Sequence, residues 1–351
     1  MRIVLGIESS CDETAVALVR EDRTVLAQAL ATQQAEHAPF GGVVPEIAAR
    51  AHLAQIDRLY RQALADAQLD IAQVDAVAAT CGPGLIGGVM VGVMVGKAVA
   101  AAASKPFIGI NHLEGHALTV RLTDAVAFPY FLLLISGGHC QQLVVRGVGD
   151  YVRLGGTLDD ALGEAFDKCA KMLGLPYPGG PELERAARVG NPKAYALPRP
   201  LKGTAGHDFS FSGLKTAVRL CIEKEVAHAG RLTPAIVADV AASFEAAVLD
   251  VLDDRVGQAL AVAQAAYPIT ALAVAGGVAA NQAIGGRLRL LAAAHAVPLV
   301  VAPPALCTDN AAMIAWAGME RLRAGAVDDL SVQPRARWPL TELVRVHSAG
   351  G

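Results

Sequence analysis

One order of elements occurs twice along this 351-residue chain, and the repetition constrains the fold more than any single motif does. Apolar patterning predicts strands at residues 2–7, 14–20 and 24–29, with a tight turn at 9–13 between the first two. A helix is expected from about residue 44 to 67, then a strand at 76–79, a helix reaching about residue 102 and a short strand at 107–110. The order then restarts with strands at 128–136, 141–146 and 151–155, again with a polar glycine turn between the first two. The halves share almost no residue identity; what repeats is the order of elements. Strands alternating with helices give α/β layers.

That outline is the one of a duplicated, actin-like (ASKHA) α/β fold, two lobes with a nucleotide cleft between them. On this reading residues 1–127 with 311–340 form lobe I, 128–310 form lobe II, and 341–351 are a tail. A polar stretch at 192–212, rich in Pro and Gly, is expected as a loop inserted in lobe II. A third signal is the apolar run from Leu272 that meets Gly276 and Gly277 and then a helix start at Asn281. Glycines there let backbone amides approach an adenosine or a phosphate with no Cβ in the way.

Hydrophobic residues make up 53% of the chain and charged ones 18%, enough apolar surface for a substantial core. A net charge of −3 gives no general basic footprint, so a nucleic-acid partner needs a local patch or a helper subunit. The six cysteines contain no Cys-x-x-Cys pair, which argues against a zinc ribbon or a disulfide framework and fits a reducing compartment. With no signal peptide evident, a cytoplasmic protein is expected. Residues 84–103 imitate a membrane span, with Lys97 the single charge, but Gly88, Gly92 and Gly96 form a smooth stripe on one helix face. A buried or subunit-contact helix is expected there, and no membrane segment.

His112 and His116 stand four residues apart on an expected helix, so both imidazoles share one face and can converge on one metal ion, the alternative being a solvated or packed helix face. A metalloprotease places its glutamate directly after the first histidine, about 100° round the helix. Here the glutamate is Glu114, roughly 200° round and pointing away from a shared metal, which disfavours proteolysis. Asp309, before a helix expected at 311–322, offers a third ligand; its alternative role is a helix N-cap. Two histidines and a carboxylate leave open positions for substrate, an arrangement that suits Fe2+ first and Zn2+ second.

Several motifs in order carry a resemblance to a known family. They are the run Gly6–Thr14, the Gly-Gly-Val-Val-Pro-Glu run ending at Glu46, the His112 motif, Ile135-Ser136-Gly137-Gly138-His139, Gly163 to Lys168, Phe209 to Lys215, and Thr308-Asp309-Asn310. Together they resemble the tRNA N6-adenosine threonylcarbamoyltransferase family, formerly described as O-sialoglycoprotein endopeptidases, from Arg2 to about Leu340. The resemblance implies an enzyme that moves the threonylcarbamoyl group from threonylcarbamoyl-AMP to N6 of adenosine 37 in tRNAs reading codons that begin with A, releasing AMP. It implies one Fe2+ per subunit on His112, His116 and Asp309, and an adenylate site lined by Leu134, Ile135, Ser136, Gly137, Gly138, Asp167, Gly180 and Asn281. Glu184 stands where many members have aspartate, with a ribose contact as its implied role; Ser9 and Cys140 replace commoner threonines. Beyond tRNA, the partners implied for a bacterial member are a paralogous actin-like subunit (TsaB type) and a small P-loop ATPase (TsaE type), with the glycine stripe at 88–96 as the expected contact face.

The residue chemistry fits such a transfer. A carbamate–phosphate mixed anhydride calls for a Lewis acid, amides to cradle its oxygens and a fixed approach for a weak amine. The acid-rich turn supplies Glu8, Asp12 and Glu13 as candidates to orient the amine or accept its proton, whereas Cys11 has no adjacent base and is expected to pack. The competing readings are a peptide-acting metallohydrolase and an ATP-binding scaffold of the actin type.

Overall fold

The computed structural model describes residues 1–40 and 42–346; Gly41 of the glycine motif and residues 347–351 of the expected tail lie outside them. The chain divides into two compact units, one made of Met1–Ala125, Arg146–Tyr151 and Thr308–Gly351, the other of Val126–Val145 and Val152–Cys307. Relative to the expected lobes, residues 126–127 go with the second unit, and residues 308–310 and the short segment Arg146–Tyr151 go with the first.

The first unit contains β1 (Ile3–Glu8), β2 (Glu13–Arg20), β3 (Val25–Thr32), α1 (Gln34–His37), α2 (Pro45–Ala67), β4 (Ala76–Gly82), α3 (Ile86–Ala102), β5 (Phe107–Asn111) and α4 (His112–Asp124). The second sheet begins with β6 (Tyr130–Ile135), β7 (Cys140–Gly147) and β8 (Asp150–Gly156). There follow α5 (Leu162–Met172), α6 (Gly179–Ala187), α7 (Ser212–Ala229), α8 (Pro234–Ala266), β9 (Leu272–Ala275), α9 (Gln282–Ala294), β10 (Leu299–Val301), α10 (Pro304–Cys307) and, back in the first unit, α11 (Ala311–Arg323).

The strand orders, β3-β2-β1-β4-β5 and β10-β9-β6-β7-β8, are the same pattern read from opposite ends. In each, the leading strand pairs antiparallel with the next one and parallel with a strand reached through helices: β1 with β2 and β4, β6 with β7 and β9. The repetition expected from the sequence is therefore a repetition of topology. β1 and β6 lie inside their sheets, which is why both read as nearly continuous apolar runs. Each sheet has its own apolar core, one around Leu5, Ile7, Val77 and Phe107, the other around Phe131, Phe166, Phe244 and Leu260.

Two glycine contacts set the packing of the first unit. A Cβ on Gly6 of β1 would stand 2.5 Å from Ala311 O and Ala315 N, so α11 lies backbone against backbone on the sheet. The stripe Gly88, Gly92 and Gly96 is buried, facing the Ser9 carbonyl and His52, the Ser9 hydroxyl, and Ala79 with Phe107 respectively. This corrects the expectation that the stripe meets a partner subunit: the close approach that GxxxG spacing permits is used inside the unit. The outward face of α3 carries Ile86, Met90 and Met94 instead. No helix among the described residues is long and apolar enough to cross a membrane. The six cysteines are free thiols.

Candidate functional site

In the first unit three elements deliver three side chains to one point. Asn111 ends β5 and caps α4 by accepting the Leu113 and Glu114 N–H groups, which fixes where the helix starts and so where its first residue, His112, projects. His116 follows one turn later, its ring 4.8 Å from that of His112 and perpendicular to it. Asp309 arrives on the segment before α11. The N-cap of that helix is Asn310, which accepts the Met313 N–H, so the alternative of Asp309 as the capping residue is set aside. His116 Nε2 lies 3.0 Å and His112 Nε2 3.4 Å from the same Asp309 oxygen.

All three ligand atoms fall within 4.8 Å of one another. Metal–ligand bonds of about 2.0–2.2 Å span such a set of donors, and two imidazoles with a carboxylate are a donor set common to iron and zinc sites. The residues fit a divalent ion. Burial opposes charge on His112, but Asp309 and then Glu8 outweigh it and hold the imidazole well above its usual range. Burial likewise opposes charge on Asp309, and His112 followed by His116 hold it well below the carboxylate range.

Glu114 takes no part. Its carboxylate is fully buried, accepting from the Tyr151 hydroxyl at 3.0 Å, the Gly149 N–H at 2.9 Å and Arg321 Nε at 2.6 Å. The turn at 9–13 divides. Glu8 is shut off from solvent, and although burial raises its pKa, His112 outweighs this and lowers it. Burial first, then Asp309 and Asp12, push Glu13 up to about 9. Burial also drives the Cys11 thiol far above its ordinary value, so no thiolate nucleophile stands there.

The second unit gathers the other expected residues. Leu134 and Ile135 lie wholly buried in β6, so only their backbone is in play. The strand leaves the sheet in a turn where Ser136 N–H donates to His139 O and Ser136 Oγ accepts the His139 N–H. At Gly137 and Gly138 an added Cβ would meet nothing within 4 Å. Behind the turn space is tight: a Cβ on Gly163 would stand 2.7 Å from Ser136 O, and one on Gly276, at φ +94°, would strike Ile135 O.

Asp167 on α5 accepts the Gly179 and Gly180 N–H groups at 2.9 and 3.2 Å, holding the start of α6 rather than pairing with a lysine. Burial raises its pKa, partly offset by those two N–H groups. Glu184 on α6 accepts from Arg188 and from the Gln282 N–H, next to Asn281, the N-cap of α9. One residue here escaped the sequence reading: Glu245 of α8, hydrogen-bonded to the Asn281 side chain. Ser10 and Thr80, beside Glu8 in the first unit, escaped it too. No motif spacing marks Glu245 or Thr80, and Ser10 lies within the run Gly6–Thr14 without a role assigned to it.

Residues 24–316 match the family described as tRNA N6-adenosine threonylcarbamoyltransferase. A relative of that name from Brucella anthropi is 59% identical over 346 residues, 97% of this chain and 95% of the relative. The chain belongs to the tRNA N6-adenosine threonylcarbamoyltransferase family. Among solved structures, HypF of T. kodakarensis aligns with a TM-score of 0.62 at 14% identity, over 91% of this chain and 48% of that one. Component A of the Acidaminococcus fermentans (R)-2-hydroxyglutaryl-CoA dehydratase aligns at 0.50 and 13%, over 90% and 96%. These likenesses bear on the fold alone, and with the duplicated sheet order they make it the actin-like α/β fold expected from the sequence. As a member of this family the chain is a threonylcarbamoyltransferase that modifies tRNA.

Proposed function

We propose that the reaction is transfer of the threonylcarbamoyl group of threonylcarbamoyl-AMP to N6 of adenosine 37, in tRNAs reading codons that begin with A, with release of AMP. We further propose a divalent ion, Fe2+ before Zn2+, on His112, His116 and Asp309. The observation that carries this is the meeting of two histidine Nε2 atoms on one Asp309 oxygen in a chain of this family. The ion when bound supplies a Lewis acid for the oxygens of the mixed anhydride.

The adenylate is assigned to Leu134–Gly138, Asp167, Gly180, Glu184 and Asn281. The open space at Gly137, Gly138 and Gly180 supports backbone contact with phosphate or acyl oxygens. Both N–H bonds to Asp167 meet Oδ1, leaving Oδ2 to accept from a ribose hydroxyl or an amine. Glu184, tied to Arg188 and the Gln282 N–H, serves the placing of Asn281 as well as any ribose contact. In the acidic turn Asp12 and Glu13, the latter with its pKa raised by burial and then by Asp309 and Asp12, are the groups placed to orient the amine or take its proton. The setting is the cytoplasm, and the partners beside tRNA are a TsaB-type actin-like subunit and a TsaE-type P-loop ATPase.

The test is transfer of labelled threonine from threonylcarbamoyl-AMP to unmodified tRNA with the partner proteins present. Label in N6-threonylcarbamoyladenosine is expected with wild type and absent with His112→Ala. An equally active, folded His112→Ala protein refutes the metal's part; no label from wild type in a competent system refutes the reaction.

A further inference from the structure

Glu8 ends β1 with its carboxylate wholly removed from solvent and both oxygens engaged. Oε1 accepts the Ser10 N–H at 2.6 Å. Oε2 accepts the Thr80 hydroxyl at 2.6 Å and lies 3.2 Å from His112 Nδ1. A carboxylate so enclosed does not reach a substrate amine. Its surroundings are those of a group that acts on a metal ligand from behind.

The tautomer of His112 decides the matter. The ring aims Nε2 at Asp309 and Nδ1 at two neighbours, Glu8 Oε2 and Ser10 Oγ, the latter at 3.0 Å. A neutral imidazole carries a single N–H. On Nε2, that proton would leave no lone pair for an ion and would set the Nδ1 lone pair against the oxygen of Glu8. The Ser10 hydroxyl accommodates either tautomer, because it donates or accepts. An ionised carboxylate only accepts.

We propose that Glu8 is a positioning residue of the metal centre, holding the His112 proton on Nδ1 and thereby presenting the Nε2 lone pair to a divalent cation shared with His116 and Asp309. Thr80 and the Ser10 N–H fix the carboxylate in its turn. The two histidines are not equivalent in this respect, since His116 Nδ1 is buried without a hydrogen-bond partner among the described residues. One ligand of the pair is oriented by a carboxylate, so loss of Glu8 weakens the site through that ligand. The inference rests on the metal centre proposed above.

The experiment titrates the full-length protein with Zn2+ against a chromophoric chelator, comparing wild type, Glu8→Gln and Ser10→Ala after a melting curve confirms that each is folded. One Zn2+ per chain is expected for wild type. Glu8→Gln, whose amide offers an N–H donor beside Nδ1, raises the Kd about 10- to 100-fold, the range found when such outer partners are removed. Ser10→Ala raises it far less. An unchanged Kd in folded Glu8→Gln, or an equal loss in Ser10→Ala, overturns the assignment to Glu8. A folded wild type that binds no Zn2+ removes the metal centre and this inference together. Should Glu8→Gln fail to fold, histidine-labelled wild type loaded with Zn2+ settles the question by long-range proton–nitrogen correlation. A proton on His112 Nδ1 is expected, and one on Nε2 overturns the proposal.

Discussion

The trio in the first unit and the turn at Gly137 and Gly138 in the second are built on opposite principles. His112 and His116 are 6% and 2% exposed, and the trio's charges answer one another within a buried cluster that Glu8, Ser10 and Thr80 extend. At the turn the feature that counts is the side chain that is missing, with space left open where a Cβ would stand at Gly137 and Gly138. A centre made of buried side chains is fixed before its ligand arrives and is costly to disturb. A surface made of glycine backbone is nearly invisible to folding and matters only once something binds. The contrast is testable at four positions, taken in three steps of decreasing effect.

Glu114 is the strongest test, because it shares α4 with the histidines yet belongs to a different network. Glu114→Ala strips the carboxylate from Arg321, whose side chain is 12% exposed, and removes the acceptor that the Tyr151 hydroxyl and the Gly149 N–H share. Breaking a buried pair from one side costs about 3–5 kcal/mol. Urea unfolding should show a loss of that order, while Zn2+ stoichiometry at low temperature stays at one per folded chain. Normal stability with zinc binding abolished would instead make Glu114 part of the metal centre and return the metallohydrolase reading to contention.

A pair of glycine substitutions comes next. In Gly88→Ala the new Cβ lies 2.5 Å from the Ser9 carbonyl and 3.0 Å from the His52 ring, and backbone cannot rotate out of the way. Overpacking of this kind costs about 1–3 kcal/mol. Gly137→Ala meets nothing, and its φ lies outside the left-handed region, so its melting temperature should match wild type while its affinity for the adenylate falls. Calorimetry with AMP reads the second effect. If Gly137→Ala binds AMP as wild type does, the open turn is not a ligand surface and the contrast between the two regions fails on that side.

The sequence made one half of this comparison plainer than the other. Strand alternation, helix caps and the four-residue histidine spacing are local, and they located β1 to β9, α4 and the face of that helix to within a few residues. The angle that turned Glu114 away from the histidines was local too. What holds Glu114 was not legible, since Arg321 is 207 residues away and nothing in either segment names the other. The setting of Glu8 was hidden for a related reason. An acid in an acid-rich turn offers itself to the substrate amine, and only the place of β1 between β2 and β4 shows that its carboxylate is enclosed. The glycine stripe announced close packing without saying against what. Asp167 likewise drew attention only through the family resemblance, whereas its partners are two amides 12 and 13 residues further on.

The smallest effect concerns Glu245, a carboxylate near the second site whose charge is poorly compensated. Burial, and after it the Glu184 carboxylate, push Glu245 up to about 7, against the opposing pull of the Asn281 amide and Arg188. Its Oε2 is buried with no hydrogen-bond partner among the described residues. Between pH 4.5 and about 7 the native state therefore keeps a proton that the unfolded chain has lost, so this residue's contribution to stability is complete below pH 4.5 and declines as pH rises to about 7. Glu245→Gln carries no such proton. The melting temperature of wild type relative to Glu245→Gln should fall steadily between pH 5 and 7 and level off above it, by a modest amount because the group is partly exposed and screened. A difference that stays constant across that range would mean that Glu245 is ionised as an ordinary surface acid. In that case the charge behind Asn281 is already satisfied, and the second site is as well compensated as the metal centre.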